Sequence, residues 1–115
     1  MSDKGAVEIL DDPDRHRFEI RVDGERAGFV EYSRKGDRLI FTHTEIDDAY
    51  EGKGLGSQLA QGALDAARAG AHPVVPLCPF IESYIERHHE YDDIVDHECL
   101  AYLEQKRERA RPETI

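Results

Sequence analysis

Between residues 16 and 46 hydrophobic and polar positions alternate with period two. In "FEIRV" the side chains of Phe18, Ile20 and Val22 fall on one face. "AGFVEYS" and "RLIFTHTEI" follow, set off by the turn signals "DGER" and "RKGD". The pattern predicts three antiparallel strands in a meander. From residue 55 the period becomes helical. Leu55, Leu59, Ala63, Leu64 and Ala67 share one side of "LGSQLAQGALDAARAGA", and Gly70 is placed to end that helix. "HPVVPLCPF" reads as a short buried strand bounded by prolines. "PFIESYIERHHEY" fits a second helix, with Pro79 in its first turn and Phe80, Ile81, Tyr84 and Ile85 along its apolar stripe. "YDDIVDHE" breaks it, and "ECLAYLEQKRERARPETI" is a terminal helix or a fraying tail. Residues 1–16 are polar and turn-rich and read as a loose lead-in with a short strand at best.

This order is an α/β layout: an antiparallel three-stranded meander, a crossover helix, a further parallel strand and C-terminal helices. A chain of 115 residues is expected to form one domain over 1–115, with a core at about 16–96 and residues 97–115 as helix or tail.

Charge narrows the partners. The net charge of -10 argues against nucleic acid and anionic membranes, which are bound through clustered Lys and Arg. The one basic run, Lys106, Arg107, Arg109 and Arg111, fits a solvated helix end favoured by the macrodipole. No apolar run approaches the ~20 residues of a membrane span, and "MSDKGAVEILDD" lacks the basic and apolar blocks of a secretory signal. Two cysteines without a CxxC motif, Cys78 and Cys99, fit a reduced, cytoplasmic protein. His88, His89 and His97 lack i, i+4 spacing with supporting ligands, so no metal is expected. A monomer is the default, with a weak dimer through a sheet edge as the alternative.

The stretch "AYEGKGLGSQL" carries the most specific signal. Gly52, Gly54 and Gly56 alternate where a strand gives way to a helix. A first helical turn leaves N–H groups without intrahelical partners, and the peptide dipoles put partial positive charge there. Glycines let an anion approach the backbone, so a pyrophosphate is one natural guest. A plain tight turn is the other reading. The spacing is G-x-G-x-G, not the G-x-G-x-x-G of a dinucleotide fold, and no "GK[ST]" occurs.

"YEGKGLGSQL" after "FTHTEI" resembles motif A of the GNAT superfamily of N-acetyltransferases. The longer stretch from "HTEI" to "YDDIV", with "CPF" at 78–80 and "YIERHHEY" at 84–91, is similar to its small stand-alone, single-domain members. The resemblance covers residues 16–96. It implies that acetyl-CoA is bound, its pyrophosphate on backbone N–H groups of Gly52, Gly54, Leu55, Gly56 and Ser57. The pantetheine arm would run along the third strand's end near Glu45 and Ile46, where two strands splay. Glu51 occupies the first motif position, where Arg or Gln is frequent, and Lys53 compensates in part for its charge.

Acetyl transfer needs an amine that loses its proton, a stabilised oxyanion and a departing thiolate that is protonated or tolerated. Cys78 closes the "VVPLC" strand just before a helix, a position that favours a thiolate. The resemblance places it beside the acetyl group; a buried core cysteine is the plain alternative. His43 and Glu45 lie two residues apart on the third strand and share a face, with Thr44 on the other. Either could take the amine proton, or both are polar residues on a solvated side. The resemblance gives Tyr84 the role of protonating the CoA thiolate; a core aromatic is the alternative. The leading expectation is therefore an acetyl-CoA-dependent N-acetyltransferase acting on a small amine or a lysine side chain. Acidic clusters such as "EIDD" would attract a cationic acceptor, or serve solubility. A CoA-binding module without turnover and an interaction domain without a ligand are the alternatives.

Overall fold

The alternation of the chain's first half is realised as sheet, and the turns set its pairing. A computed structural model describes residues 6–110, apart from the side chains at 103, 107, 109 and 110. Strands β1 (Val7–Asp12), β2 (Arg17–Val22), β3 (Glu25–Lys35) and β4 (Arg38–Ile46) form an antiparallel run. Helix α1 (Leu55–Ala69) crosses over to β5 (Val74–Pro76), which pairs parallel to β4, giving the order β1-β2-β3-β4-β5. Helix α2 (Pro79–Arg87), a 3-10 turn (His89–Ile94) and helix α3 (His97–Ala110) complete the chain. The mixed sheet with its crossover helix is the α/β layout that the pattern predicts.

One expectation is corrected. Much of the supposed lead-in is strand β1, which adds a fourth antiparallel strand to the meander. Its sequence "VEILDD" offers Ile9 alone to the helices, so the alternation is faint. Ile9 docks on α1 where Gly62 leaves room; a Cβ at Gly62 would run into the Ile9 side chain. Residues 1–5 and Arg111 lie outside the described residues, as do the side chains of Arg107 and Arg109. Lys106 reaches across from α3 to Glu82 on α2.

The core lies on one face of the sheet. Leu55, Leu59, Ala60, Ala63, Leu64 and Ala67 of α1 are buried over Phe18, Ile20, Val30 and Phe41, and α2 adds Ile81 and Ile85. Period 3.6 on the helix thus meets period two on the strands. Gly70 caps α1 by donating its N–H to Ala66 O, as its position in the sequence predicts. The opposite sheet face is polar, and no helix of the described residues covers it.

Strand β4 carries the feature that arranges the site. Tyr32 pairs with Phe41 but Glu31 pairs with His43, so Thr42 is an extra residue, a β-bulge. The bulge reverses parity. Leu39 and Phe41 face the helices; beyond Thr42 it is Thr44, opposite buried Val30, that does so, while His43 and Glu45 turn to the polar face.

Candidate functional site

The glycine turn is built by backbone geometry. A 3-10 turn at Asp48–Tyr50 follows β4, and then Gly52 (φ 79°) and Gly54 (φ 73°) take left-handed conformations. A residue with a Cβ is strained there. Gly54 is the N-cap of α1, and no described side chain caps the helix. The first helical bond runs from Gln58 N–H to Gly54 O at 3.3 Å. The N–H groups of Leu55, Gly56 and Ser57 therefore lie ahead of the intrahelical ladder, at the positive end of a helix of 15 residues. Gly56 has a different reason to be glycine. A Cβ there would lie 2.9 Å from the Phe80 ring, so Gly56 lets α2 close on α1. Lys53 Nζ stands 5.9 Å from the Tyr50 ring, and the Tyr50 hydroxyl donates to Glu25 at 3.2 Å.

Beside this turn the sheet opens. β5 pairs with β4 only from Leu39 to Phe41, and the last link is Cys78 N–H to Phe41 O at 2.8 Å. β4 continues to Ile46 without a strand of the described residues on that side. Pro76 ends β5 and Pro79 starts α2 at its N1 position, so the chain leaves the sheet early. Cys78, the N-cap of α2, sits in the resulting notch with 2% of its surface exposed. Its Sγ is 3.1 Å from Thr44 Oγ1.

The other candidates fall into two groups. His43 Nε2 and Glu45 Oε2 are 3.0 Å apart on the polar face, both exposed. They are brought together with each other, but on the side of β4 away from Cys78. Tyr84 is buried on α2, its ring stacked on His88 at 3.9 Å and tilted against Tyr91 at 6.1 Å. Burial, then the charges of Glu90 and Asp65, raise its pKa, so the phenol keeps its proton. Its hydroxyl makes no hydrogen bond among the described residues, whereas that of Tyr91 donates to Asp65 at 2.7 Å. Replacing Tyr84 by Phe should accordingly change stability by less than about 1 kcal/mol in a urea melt, so the variant removes the hydroxyl with little disturbance of the fold. A cavity between Arg68, His72 and Val95 lies at the far end of α1 and shares no residue with this site.

Thr44 is the site residue that strand reading placed on the right face without giving it a role. Its partner is 34 positions away in the chain, and no local pattern signals the contact.

The model of the GCN5-related N-acetyl-transferase family matches residues 17–94, from β2 through the 3-10 turn after α2. The chain belongs to this family. The GCN5-related match spans the glycine turn, the notch and Cys78. Curated relatives agree with it. Protein NATD1 of Mus musculus is 32% identical over 85 residues, 71% of this chain and 76% of the mouse protein. NATD1 of Gallus gallus is 31% identical over 83 residues, 70% and 74% of the two chains, and that of Homo sapiens is also 31% identical, over 70% and 73%. Membership in the GCN5-related family makes an acetyltransferase-like activity the starting point for reading the site. Among the described residues no helix is long and apolar enough to cross a membrane, and no cluster of His, Cys, Asp and Glu could hold a metal ion.

Proposed function

We propose that this chain is an acetyl-CoA-dependent N-acetyltransferase. The observation that carries the reading is the meeting of two features: uncapped amides at the start of α1, and the open edge of β4 beside Cys78. Acetyl-CoA, when bound, supplies an acetyl group activated as a thioester. The backbone N–H groups of Gly54, Leu55, Gly56 and Ser57 would hold its pyrophosphate, with Gly52 shaping the approach and Lys53 adding positive charge. The edge of β4 ending at Ile46 offers main-chain groups to the pantetheine arm. Cys78 and Thr44 would flank the acetyl group, with the Thr44 hydroxyl within reach of the sulfur. His43 or Glu45, on the other face of β4, would take the proton of the attacking amine past the strand's edge, which β5 leaves unpaired beyond Phe41. Tyr84, whose phenol stays protonated, would be the proton donor for the leaving thiolate. Both cysteines are free thiols, which suits a reducing compartment such as the cytoplasm.

A CoA-binding module without turnover is the second reading. It is favoured by one observation: the candidate bases His43 and Glu45 lie on the opposite side of β4 from Cys78.

Calorimetric titration with acetyl-CoA, followed by mass spectrometry for acetylated amines and for acetyl on Cys78, separates the two. Gly54→Val should weaken acetyl-CoA binding at least about tenfold, because a β-branched residue at φ 73° reorients the amides of the first turn. Binding without acetyl loss across a panel of amines favours the module, and unaltered affinity in Gly54→Val removes the amide cradle.

A further inference from the structure

The sheet face that no helix of the described residues covers has its charges sorted. On the β2–β3 side stand Arg17, Arg21 and Arg26. Arg17 donates to Glu19 Oε2 through Nε at 2.9 Å and Nη2 at 2.6 Å. Arg21 donates to Oε1 through Nε at 3.2 Å and Nη2 at 2.9 Å. Glu19 is 2% exposed, an unusual burial for a carboxylate on an outward face. A buried ion pair adds little net stability over apolar packing. What it does here is lock two planar guanidinium groups in place, with the Nη1 groups uninvolved in these bonds. Arg26 is held by a ring: its Cζ lies 5.5 Å from the Phe29 centroid, and that of Arg17 lies 4.7 Å from it. Arg15, ion-paired with Asp12 at 3.4 Å, and Asp47 line the same groove, which leaves Arg17, Arg21 and Arg26 against Glu19 and Asp47 in a protein of strongly negative charge.

Toward β4 the acidic group is Glu45, which pairs with Phe29. Glu31, on β3, stands between Arg17 of β2 and His43 of β4, and the His43 ring is 6.2 Å from Phe29. An apolar ring thus lies between a guanidinium cluster and a carboxylate–imidazole pair.

We propose that this face seats a zwitterion, an amine joined to a carboxylate through an apolar spacer. The carboxylate rests on Arg21 and Arg26, the spacer crosses Phe29, and the ammonium meets Glu45 and His43. Planar guanidinium groups suit a carboxylate, and the stacked Arg26 has no hydrogen-bond or ion-pair partner among the described residues to give up. Naming this ligand as the acceptor rests on the acetyl-transfer reading and on its amine reaching past the edge of β4, unpaired beyond Phe41, toward Cys78; the binding site itself does not. The acceptor would then be an amino acid or a similar amino-carboxylate, in contrast to the purely cationic amine that the acidic composition suggests.

The test uses two probes of equal length, aminohexanoate and aminohexanol, which differ in the carboxylate. Amide shifts of the isotope-labelled full chain should move around Arg21, Arg26, Phe29 and Glu45 with aminohexanoate and stay still with aminohexanol, and Arg26→Gln should abolish the response. In acetyl transfer, kcat/KM should favour aminohexanoate about tenfold, the factor that ~1.4 kcal/mol corresponds to, and Arg26→Gln should bring the ratio toward one. Equal responses to both probes, shifts centred elsewhere, or a ratio untouched by Arg26→Gln overturns the proposal. Shifts on this face with neither amine acetylated leave the zwitterion site standing and defeat the acetyl-transfer reading. Acetylation of both amines at equal efficiency does the reverse.

Discussion

Replacing Gly28 by valine should destabilise the protein by about 3 kcal/mol or more. Gly28 sits opposite Ile46, where β3 and β4 approach closely. A Cβ built there lies 2.5 Å from Glu45 O, 2.6 Å from Ile46 Cδ1 and 3.1 Å from Ile46 Cα. The isoleucine tip can swing aside, but the carbonyl oxygen and the Cα belong to the backbone and can move only if the strand moves. The displaced segment is the end of β4 that borders the notch. A urea melt should show the fall in midpoint, and on the proposed acetyl-CoA reading the affinity of whatever fraction folds should drop as well. Near wild-type stability in Gly28→Val would mean that β4 is far more pliable than its pairing indicates.

Glu19→Gln is expected to cost about 3 kcal/mol at neutral pH, because it leaves the half-buried Arg17 without its counter-charge. The effect should depend on pH in a defined direction. Burial alone would push the Glu19 carboxyl up, but hydrogen bonds from Arg21 and Arg17, and their charge, hold it below its usual value of 4.5. A carboxyl lowered in the folded state stabilises the protein above its unfolded pKa, and that stabilisation is lost as pH falls through the folded value. The gap between wild type and Glu19→Gln should therefore be widest near neutrality and close as the pH drops well below 4.5. Chemical denaturation of both proteins across this range measures it. A gap of constant size would show that Glu19 acts through packing, not charge.

These two residues also show how far a sequence can be read. Period-two alternation was legible in "FEIRV" because Phe18, Ile20 and Val22 are large and apolar. The complementary Arg17, Glu19 and Arg21 were equally regular, yet they resemble an ordinary wet strand face until geometry shows the carboxylate buried between the two arginines. Helix α1, its capping glycine, β5 and the Pro79 start of α2 followed from local rules that neighbours in the chain satisfy. The first strand did not, since its pairing relies on backbone hydrogen bonds and a single isoleucine. The glycine turn was visible as a motif, but its three glycines have two different causes. Gly52 and Gly54 answer to backbone angle, Gly56 to the Phe80 ring that arrives from a helix further along. That His43 and Glu45 share a side was readable from alternation; that Thr44, and not they, meets Cys78 depends on a contact across 34 positions.

The extra residue at Thr42 has a consequence of its own. It acts as a phase shifter in a two-stroke pattern: upstream and downstream halves of the same strand present opposite sides to the helices. Removing that one position would exchange the surroundings of Thr44 with those of His43 and Glu45 without altering any of their side chains. In a sheet that the described helices cover on one side, a change of length at this point is thus a more economical way to relocate reactive groups than replacing them one by one.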